Sequence, residues 1–408
     1  MGVQLATAPR TGGAPASQAF VIGDLVSEAR FVDEVRDFLD RALTSDLRKA
    51  GRETTGVHSD IAACRIWHER LFAQGWIAPT WPADHGGAGW GPRQRFLFDR
   101  ECARNDAPVL FATGMRSIGP LLIEMGTPEQ KAKYLARILS GEDLWCQGFS
   151  EPEAGSDLAA IKIRAVRDGD AYVVDGTKIW TTGAHLANRM FAIVRTDDTG
   201  RKQQGMTFLL IDMATPGVTV TPILGLAGEH EFNQVFFDGV RVPVANRVGA
   251  ENEGWSVAKR LMQLARSNNT PPGLVRRVMM RTARDMAANR DVLEPSMFAR
   301  LCELQIELEA YEQLELLTLP SGRADASNPT SSSMLKLIGT ELHQKVAELA
   351  MQAEGPYAAA SLASADLGIP ELDHGSHVMA KHLCVRAASV YSGASETQRN
   401  LMAQWLLG

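Results

Sequence analysis

The hydrophobic period of this chain changes twice, and no other feature constrains its fold as much. Up to about residue 143 apolar residues recur every three or four positions, the mark of amphipathic helices. "FVDEVRDFLDRAL" puts Val32, Val35, Phe38, Leu39, Ala42 and Leu43 on one helical face, with Asp33, Glu34, Arg36, Asp37 and Arg41 mostly opposite. "IAACRIWHERLFAQG" and "GPRQRFLFDRECAR" predict further helices. So does "TPEQKAKYLARILSGE", where Thr127 suits the N-cap, Pro128 the first turn and Gly141 the C-cap.

From residue 144 to about 247 the runs become short, aromatic and β-branched: "AYVVDGTKIWTT", "MFAIVRT", "GMTFLLIDM" and "NQVFFDGVRVP". Asp168-Gly169, Asp175-Gly176 and Asp238-Gly239 suit tight turns between such strands. After "VGAENEGW" the helical period returns. "SMFARLCELQIELEAYEQLELLTL" is amphipathic through Leu301, Leu304, Leu308, Tyr311 and Leu314, and the helix in "SSSMLKLIGTELHQKVAELAMQ" is predicted to open on its Ser run. The predicted fold is mainly α with a central β domain. It has a disordered Gly/Ala/Pro/Ser-rich lead-in over 1–25, an N-terminal helical domain over 26–143, an antiparallel β domain over 144–247 and a C-terminal helical bundle over 248–408. Clefts at such junctions are where ligand sites concentrate.

Composition narrows the function. With 45% apolar residues the chain can bury a large core, and a net charge of -6 argues against nucleic acid. No apolar run approaches the roughly 18 residues a membrane span needs. Cys64, Cys102, Cys146, Cys302 and Cys384 are scattered without a C-x-x-C pair, which reads as reduced, buried thiols of a cytoplasmic protein and gives no metal site.

The stretch "FSEPEAGSD", Phe149 to Asp157, stands out. Ser150 and Ser156 offer hydroxyls, Gly155 permits close backbone approach, and successive N–H groups can form an anion-binding nest. In "KIWTTGA", Trp180 and Thr182 alternate and are expected on one strand face. An indole beside a hydroxyl suits a flat, polar-edged heterocycle, and equally a core Trp beside a capped turn.

Longer strings decide between these. "CQGFSEPEAGSDLAAIKIRAVRDGDAYVVDGTKIWTTGAHLANRMFAIVRT", "PVANRVGAENEGWSVAK", "AASVYSGASETQRNLMAQWLLG" and "PTWPADHGGAGWG" resemble the acyl-CoA dehydrogenase family over nearly the whole chain. The resemblance implies the helical, β and four-helix-bundle order, an FAD cofactor, an acyl-CoA thioester substrate, an electron-transfer flavoprotein as redox partner, and a tetramer. Carried over residue by residue, it implies that Gln147, Phe149, Ser150, Gly155 and Ser156 line the flavin. Trp180, Thr181 and Thr182 would meet the isoalloxazine, and Ala394 and Glu396 the adenine end. Ser156, Gln263, Arg266 and Gly393 would meet the acyl-CoA.

The chain also departs from that family. Relatives remove the proton alpha to the thioester with a Glu at one of two sites, and here Ser392 and Ala265 occupy them. Neither can serve as a base. Three explanations stand: a Glu removed by substitution, a base or flavin chemistry located elsewhere, or a non-catalytic subunit with an active partner. Glu229, His230 and Glu231 are candidate substitutes, with solvated charges at a strand entrance as the plainer reading, and His185 is expected to be structural. The segments that relatives extend to a neighbour's flavin are unmatched in "RDMAANRDVLEPSMFAR" and "AMQAEGPYAAA". This resembles a branch acting on bulky, sterol-type acyl-CoAs, some of whose members pair as mixed tetramers. The expected activity is formation of a 2,3-enoyl-CoA in fatty-acid or steroid side-chain degradation. A partner subunit and a flavin monooxygenase of the same fold are the alternatives.

Overall fold

A computed structural model describes residues 22–264, 270–319, 329–360 and 373–407. Ala265 and Arg266, like most of the lead-in, lie outside the described residues. The N-terminal helices are α1 (Ile22–Ala42), α2 (Ser45–Arg52), α3 (Ile61–Gln74), α4 (Pro92–Arg104), α5 (Gly119–Met125) and α6 (Pro128–Ser140). Val32, Val35, Phe38, Leu39 and Leu43 are buried as their spacing requires. In α6 the Thr127 hydroxyl accepts from Gln130 N, the Gln130 side chain answers to Thr127 N, and Gly141 ends the helix at φ 81°, a reciprocal capping box closed by a left-handed glycine.

Strands β1 (Trp145–Gly148), β2 (Arg164–Asp168), β3 (Ala171–Lys178), β4 (Arg189–Arg195), β5 (Met206–Asp212), β6 (Val218–Leu224), β7 (His230–Pro243) and β8 (Arg247–Val248) form one sheet. Its main path runs β6-β7-β3-β2-β4-β5-β8, with β1 added against β4. It is antiparallel except where β1 and β2 meet β4, both in parallel. The sheet is buried on two sides. Phe191, Ile193, Phe208 and Leu210 face the core shared with the N-terminal helices, while Met190, Ala192, Val194, Leu209 and Ile211 face a second core, the two-residue alternation of a strand.

Two of the three Asp-Gly pairs are not turns. Asp168-Gly169 does lead the β2–β3 turn, but Asp175-Gly176 lies inside β3 at a β-bulge and Asp238-Gly239 inside an unbroken β7. Gly239 N donates to Asp175 Oδ1 at 2.8 Å, so the two pairs serve each other across the sheet.

The C-terminal part holds α7 (Gly254–Leu264), α8 (Pro272–Ala288), α9 (Pro295–Thr318), α10 (Pro329–Glu354), α11 (Pro356–Ala360), α12 (Asp373–Cys384) and α13 (Ser395–Leu407). Val275, Met279, Leu304, Leu308, Tyr311, Leu342 and Val346 form its core. The Ser run lies within the start of α10 rather than capping it. The cysteines are all free, but Cys302 is exposed, against expectation, because it falls on the outer face of α9. Among the described residues no helix is long and apolar enough to cross a membrane.

Candidate active site

The serine-rich stretch is shaped by one buried carboxylate. Glu151 and Ala154 exchange backbone hydrogen bonds of 2.9 and 3.0 Å, which folds the loop into a tight turn. The Glu151 side chain accepts from Lys162 N at 2.6 Å, Ile163 N at 3.2 Å and Lys178 Nζ at 2.8 Å. Lys178 Nζ also donates to Phe149 O at 3.0 Å. Burial lowers the Lys178 ammonium to about 8 against the pull of Glu151. Glu151 is therefore structural. It frees Gly155 and Ser156 to stand exposed, with Ser150 half-buried and Gln147 exposed on β1. Phe149 was expected at the cofactor, but its ring packs in the core against Phe191 and Phe208.

Ile179 N donates to Ser150 O at 2.9 Å and so ties the loop to the indole segment. That segment is not a strand. β3 ends at Lys178, and Trp180 adopts φ 58°, a left-handed conformation uncommon for a bulky residue. Trp180 and Thr182 thus do not share a strand face. Two bonds with β7 hold the turn: Thr181 N to Asn233 O at 3.0 Å and Gly183 N to Glu231 O at 2.8 Å. The indole is 58% exposed and stands edge-on to Phe232.

The second predicted segment lies at the start of α13. Ser392 (φ 55°) and Gly393 (φ 93°) make the turn, Ala394 follows half-buried, and Glu396 falls in the helix's first turn. There a carboxylate meets the positive end of the helix dipole, which gives Glu396 a structural reason. Lys336 braces the region from α10 by donating to Ala388 O at 3.0 Å. No hydrogen bond among the described residues joins this segment to the serine loop.

Both segments carry a buried, unsatisfied hydroxyl: Thr181 Oγ1 in one and Ser395 Oγ in the other. Buried hydroxyls normally find a partner, so each is available to a bound group. With the exposed indole and the serine turn, these residues fit a flavin.

A cleft is expected at the domain junctions, and the structure has one between the helical domains. A cavity of about 1270 Å³ opens there, with Trp67, Trp76 and Phe96 on its apolar wall and Gln263 and Tyr391 on its border. Gln263 is tethered by Arg260 at 3.2 Å. Glu231 also lines it and is buried, not a solvated strand-entrance charge. The reason is a contact 174 residues away in sequence, because its carboxylate accepts from Val57 N. Desolvation raises the Glu231 pKa; Val57 N, His58 and Lys381 oppose this. Burial near Glu231 pushes the Tyr391 phenol up to about 12. Lys381, which donates to Thr55 O at 3.0 Å, is lowered to about 8 by burial. Glu229 accepts from Cys384 Sγ at 3.2 Å, while the exposed His185 and His230 stack with ring centres 3.8 Å apart around Asn233.

Family models for the acyl-CoA dehydrogenase N-terminal, middle and C-terminal domains match residues 27–142, 146–240 and 252–407. The chain is 35% identical over 366 residues to acyl-CoA dehydrogenase IpdE1 of Mycobacterium tuberculosis, spanning 88% of this chain and 90% of that protein. It is 33% identical over 340 residues to acyl-CoA dehydrogenase FadE29 of the same organism, spanning 82% and 86%. A solved structure described as the Tcur3481-Tcur3483 steroid ACAD superposes with a TM-score of 0.80 at 27% identity, covering 94% of this chain and 97% of that one. The ChsE4-ChsE5 complex from Mycobacterium tuberculosis gives 0.78 at 29% identity, covering 94% and 97%.

Proposed function

This chain belongs to the acyl-CoA dehydrogenase family, and we propose that it dehydrogenates a bulky acyl-CoA thioester to the 2,3-enoyl thioester. One observation carries the reading: the cavity bordered by Gln263 and Tyr391. Its volume of about 1270 Å³ exceeds the roughly 300–1,000 Å³ of ordinary ligand pockets, which leaves room for a large acyl thioester. Solved relatives described as steroid ACADs support this.

FAD is the cofactor in this reading, and when bound it supplies the hydride acceptor. Ser150, Ser156, Trp180, Thr181 and Thr182 hold its ring end, and Ala394 and Glu396 its far end. Gly393 meets the thioester and Ser156 the CoA portion. Electrons leave to an electron-transfer flavoprotein, and the assembly is a tetramer.

Glu231 takes the proton. Ser392 and Ala265 leave both usual base positions without a carboxylate, and Glu231 is the acid that faces Tyr391, next to Ser392. Burial makes its carboxylate a stronger base once ionised. The test is anaerobic addition of bulky acyl-CoAs to flavin-loaded protein. Bleaching of the yellow absorbance is expected in the wild type, slowed about 10²–10⁴-fold in Glu231→Gln, the usual worth of a general base. Bleaching that appears only after Ala265→Glu would remove Glu231 from this role. A second reading, a non-catalytic subunit of a mixed tetramer, is favoured by the two vacant base positions and by the two-protein make-up of the ChsE4-ChsE5 relative. A stable homotetramer with one FAD per chain would rule against it.

A further inference from the structure

Between Phe111 and α5 the chain makes a five-residue π turn, Gly114–Ile118. Such turns are rare and cluster at functional sites. This one is firmly held. Trp81 Nε1 donates to Met115 O at 2.9 Å, and Met115 and Ile118 are buried. At Gly119 a Cβ atom would lie 1.9 Å from the Trp81 ring, so only glycine fits there. Arg116, at the middle of the turn, is half-buried and lines the large cavity.

Among the described residues the cavity's other cations have acceptors. Arg95 pairs with Asp99 at 2.6 Å, Arg100 with Glu101 at 3.4 Å, and Arg260 with Glu124 through bonds of 2.7 and 2.6 Å. Arg277 donates to Gly51 O and Ala107 O, and Lys381 to Thr55 O. Arg116 has no hydrogen bond or ion pair to its guanidinium among the described residues. Its charged neighbours are Arg95 and Asp99, and since those two pair with each other, one positive charge is left over. Desolvation and Arg95 both press against the charged form of Arg116, yet a guanidinium stays protonated. A half-buried cation facing a cavity is stabilised by an opposite charge with matching geometry, and guanidinium takes a carboxylate through two parallel bonds.

We propose that Arg116 receives a second carboxylate on the acyl portion of the substrate, so that the protein acts on CoA monothioesters of dicarboxylic acids. This rests on the acyl-CoA reading above. The test uses flavin-loaded protein and isothermal calorimetry with two ring-bearing probes that differ only in a distal carboxylate, 3-cyclohexylpropanoyl-CoA and 3-(4-carboxycyclohexyl)propanoyl-CoA. The wild type is expected to bind the diacid thioester roughly ten- to a hundredfold more tightly, the worth of one charge-assisted contact. Arg116→Met brings the two affinities to near parity, and Arg116→Lys keeps part of the preference. Equal binding of both probes by the wild type overturns the assignment and leaves the acyl-CoA reading standing, as does a preference that survives Arg116→Met. Binding of neither probe overturns both. Because the two-probe comparison is made on the wild type, it does not depend on either variant folding.

Discussion

Glu151 and Glu231 are both buried beside the indole turn, and their surroundings treat them differently. Glu151 accepts from two backbone N–H groups and an ammonium that itself has a second acceptor. Glu231 accepts from one backbone N–H and faces a large cavity, with Lys381 and His58 acting only through their charge. A carboxylate whose lone pairs are filled holds a loop in place. One that is under-coordinated beside open space keeps the capacity to accept a proton. The contrast separates the carboxylate that braces the serine loop from the one proposed as the base.

The comparison breaks most visibly at Lys178. Lys178→Met leaves Glu151 buried without its countercharge and should cost about 3–5 kcal/mol of stability, read by urea unfolding. A loss below about 1 kcal/mol would mean that Glu151 is as weakly held as Glu231.

The pH dependence of bleaching sharpens the other side. The folded pKa of Glu231 is raised from 4.5 by desolvation, and only the ionised carboxylate accepts a proton. Single-turnover bleaching should therefore rise with pH, with a midpoint above the ordinary carboxylate range. Stability moves the other way. A raised acid contributes stability that is full below the unfolded pKa and lost as pH rises through the folded one. Glu231→Gln should then gain on the wild type between acidic and neutral pH, and a constant difference would show that burial does not perturb this group.

The smallest effect is expected at Thr181. Its hydroxyl is buried without a partner, so the near-isosteric Thr181→Val should change flavin-free stability by less than about 1 kcal/mol. Flavin affinity, measured by fluorescence quenching, should fall several-fold. Equal flavin affinity would take this hydroxyl out of the cofactor's reach.

Local signals were legible and contacts over long sequence distance were not. Thr127, Pro128 and Gly141 mark both ends of α6 because caps are chemistry within one turn. Asp175-Gly176 and Asp238-Gly239 look like hairpin turns for the same local reason, yet they meet across two strands. Alternation placed Trp180 on a strand, and nothing in "KIWTTGA" announces the bonds to β7 that wind it left-handed. The serine loop was found through its composition. Glu151 within it could not be told from its neighbours without Lys178, and Glu231 not without Val57 from another domain.

The π turn at Gly114–Ile118 has an evolutionary side. It holds one residue more than α geometry would, and a single-codon deletion could relax it into an ordinary helix. Each residue in a helix subtends about 100°, so that deletion would rephase the preceding segment and swing Arg116 away from the wall it now occupies. A change in length, with no change of side-chain chemistry, is enough to redraw this surface. Homologues differing by one residue here are natural places to look for a switch in the acyl groups accepted.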